Sequence, residues 1–210
     1  MNKGSRPLQV IVWGLLAIVL LAVVAAFLSA NSKRSRLSRY GKVQAFSLTN
    51  QLGATTTLAD LKGKVWVADV IFTRCAGPCP KMTEQMSKLQ QAFSADAPLR
   101  FVTLTTDPEH DTASRLKTYS EKFSADPARW HFLTGPKREL LANLAVSSLK
   151  LSAVEKEKEL QQDENDLFIH STIFVLVDKR CEIRSFYESL EPGFQDKIKA
   201  DIQSLIEEKR

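Results

Sequence analysis

The sequence of 210 residues predicts an α/β domain that follows one hydrophobic helix near the N terminus. Two observations lead to this prediction. Residues 10–28 form a run of nineteen uncharged, almost entirely apolar residues. After residue 43, short apolar runs alternate with segments of helical periodicity, and no repeat or Pro-rich linker divides them. About 165 residues remain outside the N-terminal segment, enough for a single domain with one core.

The hydrophobic segment has the length of a membrane span. A helix over residues 10–28 would extend roughly 28 Å, close to the hydrocarbon thickness of a bilayer, and Trp13 suits an interfacial position. A cleaved signal peptide is the alternative, but its apolar region usually has only about 7–15 residues, and Leu28-Ser29-Ala30 is a weak cleavage site. We therefore predict a short tail over residues 1–9, a transmembrane anchor over 10–28, a basic juxtamembrane linker over 29–42 and a domain over 43–210.

The positive charge is concentrated beside this segment. Seven of the 29 Lys and Arg residues, and none of the 24 acidic residues, lie in residues 1–42, which leaves 22 cations against 24 anions in the domain. A slightly acidic domain is a poor nucleic-acid binder, whereas the basic flanks can contact anionic lipid headgroups. Because more cations follow the hydrophobic run than precede it, charge counting places the domain in the cytoplasm.

The order of predicted elements after residue 43 is typical of a thioredoxin-like α/β domain. The apolar run Val65 to Phe72 predicts a buried strand, and a helix beginning at Pro80 would carry Met82 and Met86 on its core-facing side. Residues 154–166 are strongly polar and predict a solvated helix or loop. The remaining predictions are a short hairpin-like entry at 45–58 with its turn at Gly53, strands at 99–105 and 173–177, a fourth strand ending near Tyr187, and helices at 112–123, 137–146 and 193–208.

Two of the three cysteines, Cys75 and Cys79, fall in the predicted strand-to-helix loop. Gly77 and Pro78 favour a tight turn there, and the amides at the start of the next helix would stabilise thiolates, so we expect lowered pKa values. Thiolates are the nucleophiles of disulfide exchange and soft ligands for Cu(I) or Zn. Two buried structural cysteines are the alternative. Three cysteines are too few for a disulfide scaffold.

A metal would need a further ligand, and the sequence contains three histidines. His170 lies just before the predicted strand at 173–177, where it could reach the dithiol, although a lone histidine before a strand is more often structural. His131 follows Trp130 and is expected to pack half-buried, and His110 lies in a polar turn and is expected to be exposed.

Four motifs resemble the Sco/SenC family of copper-handling proteins. They are F-T-x-C-x-x-x-C-P at residues 72–80, D-P-x-x-D-T at 107–112, W-x-x-L-T-G at 130–135 and His-Ser at 170–171. The resemblance implies a thioredoxin-like fold, an N-terminal membrane anchor and one copper, Cu(I) or Cu(II), held by Cys75, Cys79 and His170. It also implies delivery of copper to the dinuclear copper site of cytochrome c oxidase, or reduction of the cysteines of that site.

The resemblance implies partners and a location as well. The partners would be the oxidase subunit that carries the copper site, and other copper carriers or thiol reductants. Members of the family face the periplasm or the mitochondrial intermembrane space, so we expect a periplasmic domain against the charge count. Asp107 is a candidate for orienting a ligand, or alternatively a cap for the following turn. Cys181 occupies a hairpin position that is often glycine, and is either a small packing residue or a regulatory thiol.

A rival hypothesis makes the protein an enzyme, a thiol–disulfide oxidoreductase that acts through Cys75 and Cys79. His170 distinguishes the two, because copper binding needs it and disulfide exchange does not. A peroxiredoxin is disfavoured because Thr73 precedes Cys75 by two residues rather than three, and position 69 is Asp rather than Pro. Structural zinc would require a fourth ligand that the sequence does not supply.

Overall fold

The computed structural model describes residues 6–32, 37–151, 153–155, 168–170 and 172–208. The helices are α1 (Arg6–Ser32), α2 (Leu58–Leu61), α3 (Pro78–Gln91), α4 (Ala113–Lys122), α5 (Arg138–Asn143) and α6 (Phe194–Glu207), and α5 continues as a π-helical turn, Leu144–Ser148. The strands are β1 (Ser47–Asn50), β2 (Thr55–Thr57), β3 (Val65–Ile71), β4 (Leu99–Thr105), β5 (Trp130–Thr134), β6 (Ala153–Glu155), β7 (Phe168–His170), β8 (Ile173–Val177) and β9 (Ile183–Glu188).

A seven-stranded sheet with the order β2-β1-β5-β4-β3-β8-β9 organises the domain, and β6 and β7 form a separate pair. Strands β3, β4 and β5 are parallel, and α3 and α4 are the helices of the two connections between them. Strand β8 runs antiparallel to β3 and forms a hairpin with β9. The mixed sheet with its crossover helices confirms the predicted α/β, thioredoxin-like class.

Strand β3 is buried along its whole length because both faces of the sheet are covered. One face of the strand, which includes Val65 and Val67, packs against Met82 and Met86 of α3 and the apolar side of α6. The opposite face, with Trp66, belongs to a second core cluster. The continuous apolar run in the sequence therefore reflects burial on two sides, and the two methionines are core residues, as predicted.

Several boundaries differ from the sequence predictions. Helix α3 begins at Pro78, two residues earlier than expected, because proline at the first helical position needs no hydrogen-bond partner for its nitrogen. Strand β5 was not predicted. Of the polar stretch 154–166, only residues 154 and 155 are described, and they belong to β6; the remainder lies outside the described residues.

Helix α1 contains the hydrophobic run and exposes large apolar side chains such as Val10, Trp13 and Leu21. No helix within the described residues combines the length and hydropathy that a bilayer crossing requires.

Cys181 lies in the turn between β8 and β9, at a position whose backbone conformation favours glycine. Cys181 has a φ of 60°, in the left-handed region that glycine adopts most readily, and its amide donates to the Asp178 carbonyl at 2.9 Å. Its side chain is buried, and burial raises the pKa of the thiol. These contacts fit a packing residue.

Candidate metal centre

The dithiol lies in the loop between β3 and α3, residues 72–77, which we call the dithiol loop. The chain leaves the sheet at Ile71, and the Cys75 amide donates to the Phe72 carbonyl at 3.2 Å, so the loop turns sharply before α3 begins. The Cys75 and Cys79 side chains face inward and are 6% and 0% exposed, whereas Ala76 and Gly77 form an exposed tip. The thiols are thus covered by two small residues at the end of the sheet.

The two cysteines are thiols, not a disulfide, and they interact directly. A hydrogen bond with Cys75 raises the pKa of Cys79 most strongly, and burial adds to the effect. The expectation that Cys79 would have a lowered pKa is wrong for this state. The favourable influence of a helix start is outweighed because the thiol is desolvated and paired with a second thiol.

Two successive hydrogen bonds fix helix α3 behind the dithiol. The Thr83 hydroxyl donates to the Cys79 carbonyl at 2.9 Å and lies 3.0 Å from the Tyr119 hydroxyl of α4. This arrangement ties the first turn of α3 to the neighbouring helix.

The buried carboxylate of Asp111 holds the dithiol loop from the other side. It accepts a hydrogen bond from the Thr73 amide at 3.0 Å and another from the Thr73 hydroxyl. The hydroxyl of Thr105, at the end of β4, donates a third. The imidazole Nδ1 of His110 lies 3.0 Å from the same carboxylate, so His110 is half-buried and not exposed as expected. Two of the sequence motifs, F-T-x-C and D-P-x-x-D-T, are therefore halves of one hydrogen-bonded unit.

Asp107 is held by two arginines. Its Oδ2 accepts hydrogen bonds from both Nε and Nη2 of Arg74, and its Oδ1 lies 3.4 Å from Nη2 of Arg138. The following turn is closed by the Asp107 carbonyl, which accepts the Asp111 amide at 2.8 Å. The carboxylate therefore fixes Arg74, the residue before Cys75, and its role toward a metal ligand stays a prediction.

One charged residue beneath the site was not singled out from the sequence. Asp69 lies in the middle of β3 with no exposed surface, and neither of its oxygens makes a well-aligned hydrogen bond within the described residues. Burial raises its pKa to about 7, and the hydroxyl of Thr103, directly opposite on β4, offsets this only partly. A negative charge there raises the pKa of Cys79 further. An acid inside an apolar run was the available signal in the sequence.

The third predicted ligand is described only by its backbone. His170 ends β7, where it pairs with Ala153, and its side chain lies outside the described residues. Strand β8 begins three residues later, at Ile173. It runs antiparallel to β3 and pairs Val175 with Ala68, so its first residue lies near the C-terminal end of β3, where the dithiol loop begins. The topology thus brings the His170 backbone toward the dithiol's end of the sheet. His131 is half-buried, as predicted, and contacts Thr56.

A group of three or more His, Cys, Asp or Glu side chains arranged to hold a metal does not occur among the described residues. Of the predicted set, the described side chains that lie together are those of Cys75 and Cys79. Their soft sulfur donors fit a copper ion, and a further ligand would have to complete the site.

A buried dithiol between a central strand and the following helix defines a thioredoxin-like thiol protein. Beyond this class, the chain belongs to the SCO1/SenC family, which it matches over residues 35–207. An SCO1 protein homologue of Bacillus subtilis is 33% identical over 164 residues, which cover 78% of this chain and 82% of the relative. The predicted resemblance is therefore confirmed.

Two solved structures share the fold. BsSco, a member of the Sco family of cytochrome c oxidase assembly proteins in which a disulfide switch was identified, is 32% identical with a TM-score of 0.69, over 81% of this chain and 96% of that chain. ScoI of Bradyrhizobium japonicum, solved with copper bound, is 24% identical with a TM-score of 0.65, over 78% of this chain and 99% of that chain.

Replacing Asp111 by Asn should release the dithiol loop. The amide cannot accept all the hydrogen bonds that the carboxylate accepts, so we expect a loss of about 2–4 kcal/mol in the free energy of unfolding and faster alkylation of Cys75. Denaturant titration and thiol-labelling rates measure both effects. Asp126→Asn is the matched control, because the Asp126 carboxylate bonds to Arg129, only three residues away, and does not contact the dithiol loop. Unchanged labelling in Asp111→Asn would show that the carboxylate does not hold the loop.

Asp69 should make the stability of the domain depend on pH. Its pKa is raised from 3.8 to about 7, so the folded state retains a proton that the unfolded state has lost between these values. Stability should therefore fall as pH rises from about 4 to about 7, by up to the order of 4 kcal/mol, and then level off. Asp69→Asn should remove this decline, whereas the exposed Asp196→Asn should keep it. Parallel pH profiles in wild type and Asp69→Asn would refute the assignment.

Proposed function

We propose that this chain is a membrane-anchored carrier that binds one copper ion through Cys75, Cys79 and His170 and delivers it to the dinuclear copper site of cytochrome c oxidase. The observation that carries the proposal is the pair of interacting thiols at the end of the sheet. Family membership supports the assignment, as do the copper bound in B. japonicum ScoI and the assignment of BsSco to oxidase assembly.

Two thiolates and one imidazole suit this cargo. Sulfur ligands select Cu(I), and imidazole with thiolate also accommodates Cu(II). A low coordination number leaves the ion open to ligands of an acceptor, and the small residues Ala76 and Gly77 leave the approach to the thiols lightly covered. Asp107 would position the loop through Arg74, next to Cys75.

The anchor and the location belong to the same proposal. The nineteen uncharged residues at 10–28 would span the bilayer, and the domain would lie on the periplasmic side, where a copper site of an oxidase can be reached. The basic residues that flank the run would contact lipid headgroups.

A thiol–disulfide oxidoreductase is the second candidate. The direct contact between Cys75 and Cys79 favours formation of a disulfide, and BsSco carries a disulfide switch. In this role one thiolate would attack a disulfide of the substrate protein, which forms a mixed disulfide and releases the first substrate thiol. The second thiolate would then attack the mixed disulfide, so that a Cys75–Cys79 disulfide forms and the second substrate thiol is released. A thiol reductant would return Cys75 and Cys79 to the dithiol.

Copper stoichiometry separates the two candidates. The reduced fragment of residues 32–210 should bind one copper per chain under anaerobic conditions, and Cys75→Ser, Cys79→Ser and His170→Ala should each weaken binding at least tenfold. Cys181→Ser is the control and should bind like wild type. If wild type binds no copper, the carrier proposal fails. If His170→Ala binds copper normally, His170 is not a ligand, whatever its effect on disulfide exchange.

Copper affinity should increase with pH. Because Cys79 retains its proton in the metal-free protein and a ligating sulfur must be a thiolate, binding releases protons. Each released proton raises the affinity about tenfold per pH unit while the thiol is protonated. Competition with a Cu(I) chelator between pH 6 and 8 measures the slope, once corrected for the chelator's own protonation. An affinity independent of pH would contradict binding by these thiols.

A further inference from the structure

The chain enters the domain through a segment that is bound to the edge of the sheet. Residues 37–43, which we call the strap, run along the start of β9. The Tyr40 amide donates to the Ile183 carbonyl at 2.9 Å, and the Ile183 amide donates back to Gly41 at 2.8 Å. The Val43 amide adds a bond to the Cys181 carbonyl at 2.9 Å. The strap is therefore part of the folded domain rather than a loose linker.

A buried arginine fastens the strap to the rest of the domain. The Arg184 side chain is 1% exposed, and its Nη2 and Nε donate to the carbonyls of Leu37 and Ser38 at 2.9 and 3.1 Å. Its Nη1 lies 2.9 Å from Asp178 and 2.7 Å from Glu208, just beyond the last residue of α6. Backbone and ionic contacts thus hold the first described residues after α1 at one fixed place.

This place is at the opposite end of the sheet from the dithiol. The strap meets the β8–β9 turn, and the Gly63 amide, just before β3, donates to Lys179 of that turn at 2.9 Å. The dithiol loop follows the other end of β3. Seven residues of strand separate the two ends, a distance of roughly 20 Å.

The end of the domain that carries the strap is basic, although the domain as a whole carries slightly more anions than cations. We call it the strap end. Tyr40, an aromatic residue of the kind enriched at membrane interfaces, is 54% exposed there. The strap end comprises the strap, residues 60–64, the β8–β9 turn and the end of α6, with the cations Arg39, Lys42, Lys62, Lys64, Lys179, Arg180 and Arg184 and the acids Asp60, Asp178, Glu182, Glu207 and Glu208.

We infer that the strap end rests on the anionic lipid surface beside the anchor, so that the dithiol is directed away from the bilayer. This inference depends on the membrane anchor of the proposed function. Residues 33–36 join Ser32 of α1 to Leu37 and can extend at most roughly 17 Å, and three of the four are cationic. The tether therefore keeps the strap end near the bilayer, and the attraction of its cations to anionic headgroups selects this orientation. An acceptor would then meet the dithiol on the side remote from the membrane.

Energy transfer to lipid headgroups tests the orientation. The full chain is placed in nanodiscs of phosphatidylcholine and phosphatidylglycerol with an acceptor dye on the headgroups. A fluorescent amino acid is introduced at Lys62, on the strap end, or at Glu109, an exposed position near the dithiol. Transfer from position 62 should be several-fold greater than from position 109. Equal transfer, or greater transfer from position 109, would overturn the inference. A chain that does not enter the nanodiscs would instead refute the anchor.

Charge reversal tests the cause of the orientation. Lys42→Glu combined with Arg180→Glu should reduce the difference between the two labelled positions in anionic nanodiscs, since both cations are exposed on the strap end. Lys81→Glu with Lys137→Glu, an equal change of charge at the dithiol's end of the sheet, should not reduce it. If both double variants behave alike, the lipid contact of the strap end is refuted.

Discussion

The chemistry of this domain depends on one buried carboxylate, that of Asp111. Phe72 anchors the start of the dithiol loop in the core, and the conformation of the next residues is set by bonds from Thr73 to a residue 38 positions later in the sequence. These two segments meet because β3 and β4 are parallel neighbours, so the segments that follow them leave the sheet at the same edge. The sheet therefore determines where the loop begins, and Asp111 determines how the loop is held.

Around that loop, burial controls the state of the ionisable groups. Cys79 and Asp69 lie in the same apolar core, and both keep their protons more strongly than they would in water. A neutral thiol pair is compatible with this core, whereas two unpaired thiolates are not. A copper ion bound by these thiols would resolve the conflict, because a metal ion compensates the thiolate charges that form when the protons leave. The same environment that disfavours the free thiolates thus makes a cation the natural occupant.

The sequence predicted the fold and the dithiol because the signals were local. Apolar runs located β3, β4 and β8, and the spacing of Cys75 and Cys79 in a Gly-Pro loop located the site. Features that depend on contacts between distant segments were not predicted. The half-burial of His110, whose ring lies beside Thr73, depends on the meeting of two loops, and the raised pKa of Cys79 depends on burial and on the partner thiol. Strand β5 was missed because it has only five residues and a polar histidine interrupts its apolar run.

The central claim is that copper is bound by the two sulfurs of the dithiol and one imidazole. X-ray absorption spectroscopy at the copper edge, on the full chain loaded anaerobically with one equivalent of Cu(I), tests it directly. We expect two sulfur scatterers and one nitrogen scatterer, with the histidine signature missing in His170→Ala. A site with no sulfur ligand, or sulfur scattering that persists in a Cys75→Ser Cys79→Ser variant, would contradict it.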